Sequence, residues 1–134
     1  MSQDAAQLAR RWFEEVWNQQ RDETIRELMD PKVHGVLEGG LEVHSTDEFM
    51  KARAQLLDAF PDMRVAVEDM IAQGENVVVR WRANATHTGA AMDLKPSQRA
   101  VSFRGMTWMV FRDGRMIEGW DAWNQGALLQ SLQS

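Results

Sequence analysis

GRMIEGWDAWN, residues Gly114 to Asn124, is the stretch that decides the fold. The Asp113-Gly114 pair at its start signals a tight hairpin turn. Arg115 to Asn124 is therefore predicted to return as a strand against Ala100 to Arg112. Alternate residues of a strand share a face, so Ile117, Gly119, Asp121 and Trp123 lie on one side and Glu118, Trp120 and Ala122 on the other. With Ile117 turned inward, Asp121 turns inward too. A carboxylate flanked by Trp120 and Trp123 is then either a structural oddity or a working group.

Outward from that hairpin, the period of two extends back to Met63. Arg64 to Ala72 and Val77 to His87 are predicted to pair about a turn at Gly74 to Asn76, with Val77, Val79, Trp81, Ala83, Ala85 and His87 on the apolar face. In Ala100 to Arg112 that face carries Phe103, Gly105, Thr107, Met109 and Phe111. Arg80, Arg82, Arg104 and Glu118 fall on the outer face as a charge ladder. Thr88 to Arg99, with Gly89 and Lys95-Pro96-Ser97, is a loop long enough to serve as a flap.

Ahead of Met63 the period is helical. Residues 4 to 19 read as one amphipathic helix with Leu8, Trp12, Phe13, Val16 and Trp17 inward. A second helix starts with Asp22 as N-cap and stops at Asp30-Pro31, and a third runs from the Ser45 and Glu48 capping box to about Ala59. Lys32 to Val43 reads as a strand fragment around Val33, Val36 and Leu37, then a loop at Gly39-Gly40. Beyond Asn124 lies a short apolar tail, Ala127, Leu128, Leu129 and Leu132. Three helices followed by a long antiparallel meander is an α+β order in a single domain, residues 1–134, with one sheet face covered by helices.

Composition narrows the function classes. A chain of 134 residues buries roughly two thirds of the surface its unfolded form exposes. Its net charge of -5, with Lys and Arg scattered, argues against nucleic acid and anionic membrane as partners. The absence of cysteine and of an apolar N-terminal run favours a cytoplasmic protein. Six Trp and nine Met against no Tyr imply a wide, adaptable apolar interior, suited to a bulky apolar ligand or to a dimer interface. No HxH, HxxxH, HExxH, GxSxG or Gly-rich phosphate loop occurs, so metal, acyl-enzyme and nucleotide chemistry lack a motif, and no cofactor is expected.

Five stretches resemble the SnoaL-like polyketide cyclases and predicted ester cyclases of the nuclear-transport-factor-2-like superfamily: RRWFEEVWNQ, FPDMRVAVEDMIAQGENVVVRW, THTG at Thr86 to Gly89, RAVSFRGMTWMVFRDGRMIEGWDAWN and the terminal LLQSL. The resemblance implies a cone-shaped curved antiparallel sheet, an α+β roll, wrapped round a deep apolar pocket and closed by about three N-terminal helices. It also implies pairing as a homodimer through the outer sheet face. The family's cyclases use an aspartate on the last strand as acid and base, and Asp121 matches it. They place a histidine on the preceding strand, where this chain has Thr107.

Asp121 is accordingly the first catalytic candidate, because burial disfavours its ionised form and lets it both remove and return a proton near neutrality. His87 either reaches the pocket mouth, to donate to a substrate oxygen or to Asp121, or fixes the flap through backbone bonds. His34, beside Gly35, has the same two readings, whereas His44 is expected at the surface. Trp12, Trp81, Phe103, Met109 and Trp123 are expected to line the cavity or to pack the core around it, and Thr107 and Asn124 either hold a ligand oxygen or satisfy backbone. These residues predict a cofactor-free cyclase or isomerase acting on a small hydrophobic carbonyl compound. An epoxide or ester hydrolase and a non-catalytic binding module are the alternatives. Met106, Trp108, Val110 and Trp120 make the outer sheet face apolar enough to predict a homodimer.

Overall fold

The computed structural model describes residues 4–90 and 95–133. Asp4 opens the first helix by a reciprocal cap: its carboxylate accepts from Gln7 N at 2.8 Å while its own N–H donates to the Gln7 side chain at 3.0 Å. Helix α1, Ala5–Arg11, then widens into a π-helical turn over Trp12–Asn18. The predicted span holds, but its second half is wound more loosely than an α-helix. Arg53 donates to the Val16 carbonyl inside that turn from Nε at 3.3 Å and Nη2 at 3.2 Å.

Helix α2, Asp22–Leu28, begins one residue earlier than predicted, and Asp22 accepts from Arg53 Nη1 at 2.9 Å and caps nothing. The strand fragment predicted after it is a full strand. β1, Met29–Val36, starts ahead of Asp30-Pro31, and its register shifts between Met29 and His34. That irregularity accommodates Pro31, which has no N–H to give a ladder and forces the residue before it to be extended. A short turn, Glu38–Gly40, leads to the two-residue strand β2, Glu42–Val43. Helix α3, Thr46–Ala59, starts at Ser45, whose hydroxyl accepts from Glu48 N at 3.1 Å. Glu48 in turn accepts from His44 N at 2.7 Å, one residue outside the usual box.

The remaining strands fall close to their predicted places: β3 Arg64–Gln73, β4 Asn76–Thr86, β5 Ala100–Arg112 and β6 Arg115–Trp123. Asp113 and Gly114 take φ of 53° and 79°, as the hairpin turn requires. The curved six-stranded sheet runs β2-β1-β6-β5-β4-β3, antiparallel except for β1 against β6. The predicted apolar tail is helix α4, Gln125–Gln133, with Leu128 and Leu132 buried.

Helices cover the predicted face of the sheet, and Val16, Ile25, Phe60, Val77, Val79 and Met109 form a dry core. Parity fails at one point. Val110 pairs with Glu118 but Phe111 pairs with Met116, so Ile117 is an extra residue in β6. Met116 takes the core position assigned to Ile117, and Asp121 still faces inward because it follows the bulge. The expected outer ladder also changes partners. Arg82 and Arg80 approach Glu68 at 3.4 and 3.8 Å, while Glu118 accepts from the Trp120 indole at 2.7 Å.

The predicted flap spans residues 91–94, which lie outside the described residues; its first end is tied down, with Thr88 N and Gly89 N donating to Ala59 O at 3.2 and 3.1 Å. No described helix is long and apolar enough to cross a membrane.

Candidate functional site

Two adjoining chambers lie between the helices and the inner sheet face. The inner one holds about 60 Å³ and is walled by Trp12, Phe13, Met29, Val33, Trp81 and Met116; the outer one holds about 150 Å³ and is walled by Glu38, Leu41, Arg53, Leu56, Trp123 and Gln125. Trp17, Leu37, Phe49 and Asp121 border both. The inner chamber exists partly because β1 and β6 set Gly35 against Gly119, so that no side chains meet there. A Cβ on Gly35 would stand 2.8 Å from Val43 Cγ2.

Asp121 hangs between the chambers at the end of a two-step relay. The Trp81 indole Nε1–H donates to Thr107 Oγ1 at 2.9 Å, and Thr107 Oγ1 donates to Asp121 Oδ1 at 2.7 Å. An indole only donates, so its bond fixes the direction of the hydroxyl proton toward the carboxylate. The three residues meet because Trp81, Thr107 and Asp121 sit on the same face of β4, β5 and β6, with Thr107 directly opposite Asp121 in the ladder. Burial pushes the Asp121 carboxyl up to about 6; the Thr107 hydroxyl opposes that, and the charge of Glu38 adds to it. Asp121 is half-buried as a residue because part of it borders open chamber volume.

Of the residues predicted for the site, the structure brings together Asp121, Thr107, Trp81, Trp12 and Trp123. His87 is elsewhere. It is buried at the end of β4 against Phe60, and its Nδ1 accepts from Ser97 N at 3.1 Å and contacts Ser97 Oγ at 3.0 Å. Of its two readings, the geometry matches the one that fixes the loop. With Nδ1 as acceptor, a neutral ring carries its proton on Nε2. His34 points outward from β1, paired with Glu42 at 3.0 Å and stacked on the exposed His44 at 5.2 Å. Alternation decides this, since its neighbours Val33 and Gly35 face the chamber.

Met109 is fully buried core and borders neither chamber. Phe103 stands one layer back, its ring 4.9 Å from Trp123 and 6.0 Å from Trp81. Asn124 caps α4 by accepting from Ala127 N at 2.9 Å. Among the described residues no group of three or more His, Asp or Glu is placed to hold a metal ion.

Sequence reasoning left several wall residues out of the site. Trp17 and Phe49 were legible only as the inner faces of helices, and Phe49 packs edge-on against Trp17 at 6.2 Å. Leu37 ends the segment read as a strand fragment and Glu38 stands between it and the Gly39-Gly40 loop, a place that no periodicity marks.

The chain matches the SnoaL-like polyketide cyclase family over residues 7–132. Solved structures repeat the fold. A protein of Jannaschia sp. CCS1 described as SnoaL-like polyketide cyclase aligns with a TM-score of 0.91 at 24% identity, over 97% of this chain and 92% of its own. IdmH of Streptomyces antibioticus, described as a polyketide cyclase, aligns at 0.87 and 24% identity, over 98% and 100%. AclR of Streptomyces galilaeus, described as a hydroxylase, aligns at 0.82 and 28% identity, over 96% and 82%. No curated protein matches the chain in sequence.

Proposed function

The chain belongs to the SnoaL-like polyketide cyclase family, and from that premise we propose that it is a cyclase or isomerase of hydrophobic carbonyl compounds with Asp121 as its acid and base. The observation that carries this reading is the inward Asp121 carboxyl, hydrogen-bonded by Thr107 and bordered by indoles, whose proton affinity lies near neutrality. At pH 7 such a group is mostly ionised and accepts a proton from the carbon alpha to a carbonyl; the C–H electron pair moves into the enolate. The enolate carbon then attacks a second carbonyl carbon of the same substrate, whose π electron pair moves to its oxygen and takes the proton back from Asp121, or the new Asp121 acid returns the proton to a different carbon. Cyclisation and isomerisation share the first step.

The inner chamber is far smaller than the about 300–1,000 Å³ of ordinary ligand pockets, so it takes the reacting end of a substrate while the rest occupies the outer chamber and its mouth. Trp12 and Trp17 supply flat apolar walls for a planar conjugated compound. Thr107 and Trp81 position Asp121 in this reading. The partner of the fold is a second copy of the chain, seated on the outer sheet face.

Replacing Asp121 by Asn tests the role. The variant should fold and bind as before while turnover of a panel of conjugated ketones drops by about 10²–10⁴-fold. In the unmodified protein kcat/KM should fall about tenfold per pH unit below about 6, where Asp121 gains its proton. An Asn variant that keeps the full rate would falsify the assignment.

A hydrolytic reading has one observation behind it: the inner chamber is large enough for water beside Asp121. Turnover in oxygen-18 water separates the two, since enolate chemistry adds no solvent oxygen at carbon and hydrolysis of an epoxide or ester does.

A further inference from the structure

Glu38 borders the outer chamber together with Asp121, and neither strand parity nor the family resemblance gives it a part. It opens the turn Glu38–Gly40, in which Gly39 and Gly40 both take φ of 83°, a conformation that only glycine adopts without cost. The reversal carries the Glu38 side chain to the junction of β6 and α4. There one oxygen accepts from Trp123 N at 3.1 Å and the other from Gln125 N at 3.3 Å. These donors close β6 and open α4, and they lie two and four residues past Asp121. Gln125 N is among the first N–H groups of a helix, which have no partner within the helix itself. A carboxylate held at both oxygens cannot swing into solvent, so its charge stays at one point on the chamber wall.

Glu38 and Arg53 are the charged residues that border the described chambers beside Asp121. Arg53 is committed to Val16 O and to Asp22. We propose that Glu38 is a positioning residue: a latch that ties the turn after β1 to the β6–α4 junction and fixes a second negative charge on the wall it shares with Asp121. This rests on the reading of Asp121 as the acid and base. Two negative charges in one water-poor space repel, so Asp121 holds its proton more tightly than burial alone arranges, as the contribution of Glu38 to its raised pKa agrees. The two carboxylates thereby divide the work, one anchored and one exchanging a proton.

The test follows the Asp121 carboxyl by carbon-13 NMR titration in the unmodified protein and in Glu38→Gln and Glu38→Asp. Glu38→Gln keeps the shape and one acceptor oxygen but removes the charge, so the Asp121 midpoint should fall from about 6 by roughly half a pH unit. Glu38→Asp keeps the charge and gives up at least one N–H bond, so the midpoint should stay nearer that of the unmodified protein while thermal stability drops. An unmoved midpoint in Glu38→Gln, or an equal fall in both variants, overturns the proposal, because then the charge is not what acts. The titration needs no turnover. An Asp121→Asn variant that retains activity would remove the catalytic reading and leave this measurement standing, whereas an unmoved midpoint removes only the role of Glu38.

Discussion

At the scale of single residues, Thr107 does two things at once. Its hydroxyl accepts from the Trp81 indole and donates to Asp121, so it satisfies a buried donor and also eases the ionisation of the carboxyl. Thr107→Val keeps the shape and removes both bonds. The Asp121 midpoint should then rise above about 6, because burial and Glu38 are left without the opposing hydrogen bond. The sign carries into catalysis: a higher midpoint leaves less base at pH 7 and moves the acid limb of the kcat/KM profile upward. The stranded indole N–H should cost about 1–3 kcal/mol in chemical unfolding. Thr107→Ser should restore both the profile and most of the stability, and a Val variant whose profile matches the unmodified protein would show that the relay does not tune the acid.

Elements set where those residues stand, and β5 does so through a missing side chain. Trp81 reaches Thr107 by lying across Gly105, where an added Cβ would collide with the indole and stand 2.8 Å from Trp123 Cβ. Gly105→Ala should therefore cost about 1–3 kcal/mol as an overpacked core substitution and turn Trp81 away from Thr107. Thermal unfolding and Trp fluorescence read the two effects separately. Unchanged values for both would mean that the indole relaxes freely. The same strands show what the sequence made legible. Alternation placed Thr107, Trp81 and Asp121 on one face because all three sit in long runs where one face is buried and register is strongly specified. It misassigned Ile117 because a bulge adds a residue with no compositional mark, and it missed the length of β1 because Pro31 and Gly35 are strand breakers in isolation. Pairing on both sides of β1, with β2 and β6, overrides those local preferences. His87 and His34 were ambiguous for another reason: what an imidazole contacts depends on the chain that folds over it, here Ser97 for one and Glu42 for the other.

At the scale of the whole molecule, the unfinished surface is the outer face of the sheet. Met106, Trp108 and Trp120 are 53%, 51% and 45% exposed, and Trp108 lies directly opposite Trp120 across the β5–β6 ladder. Their indoles are not loose. Trp108 Nε1 donates to Asn76 at 2.9 Å and Trp120 Nε1 to Glu118 at 2.7 Å, so both rings are held before any partner arrives. Association then orders little that is not already ordered, and large apolar rings held at low entropic cost favour a tight contact. A second copy of the chain presents the same patch, and a twofold axis through it would set each Trp108–Trp120 pair against its counterpart, burying a face that open water disfavours. The expected outcome is a dimer by light scattering at micromolar concentration. Trp108→Glu should convert it to a monomer, because the isologous contact would then bring two carboxylates together in an apolar setting. The far-ultraviolet circular dichroism of that monomer should match that of the dimer, since Trp108 faces away from the core, and Asp121 should keep its titration midpoint, since Trp108 borders neither chamber. An unmodified chain that runs as a monomer under those conditions would remove the second copy as partner and leave the exposed indole pair open to a different protein.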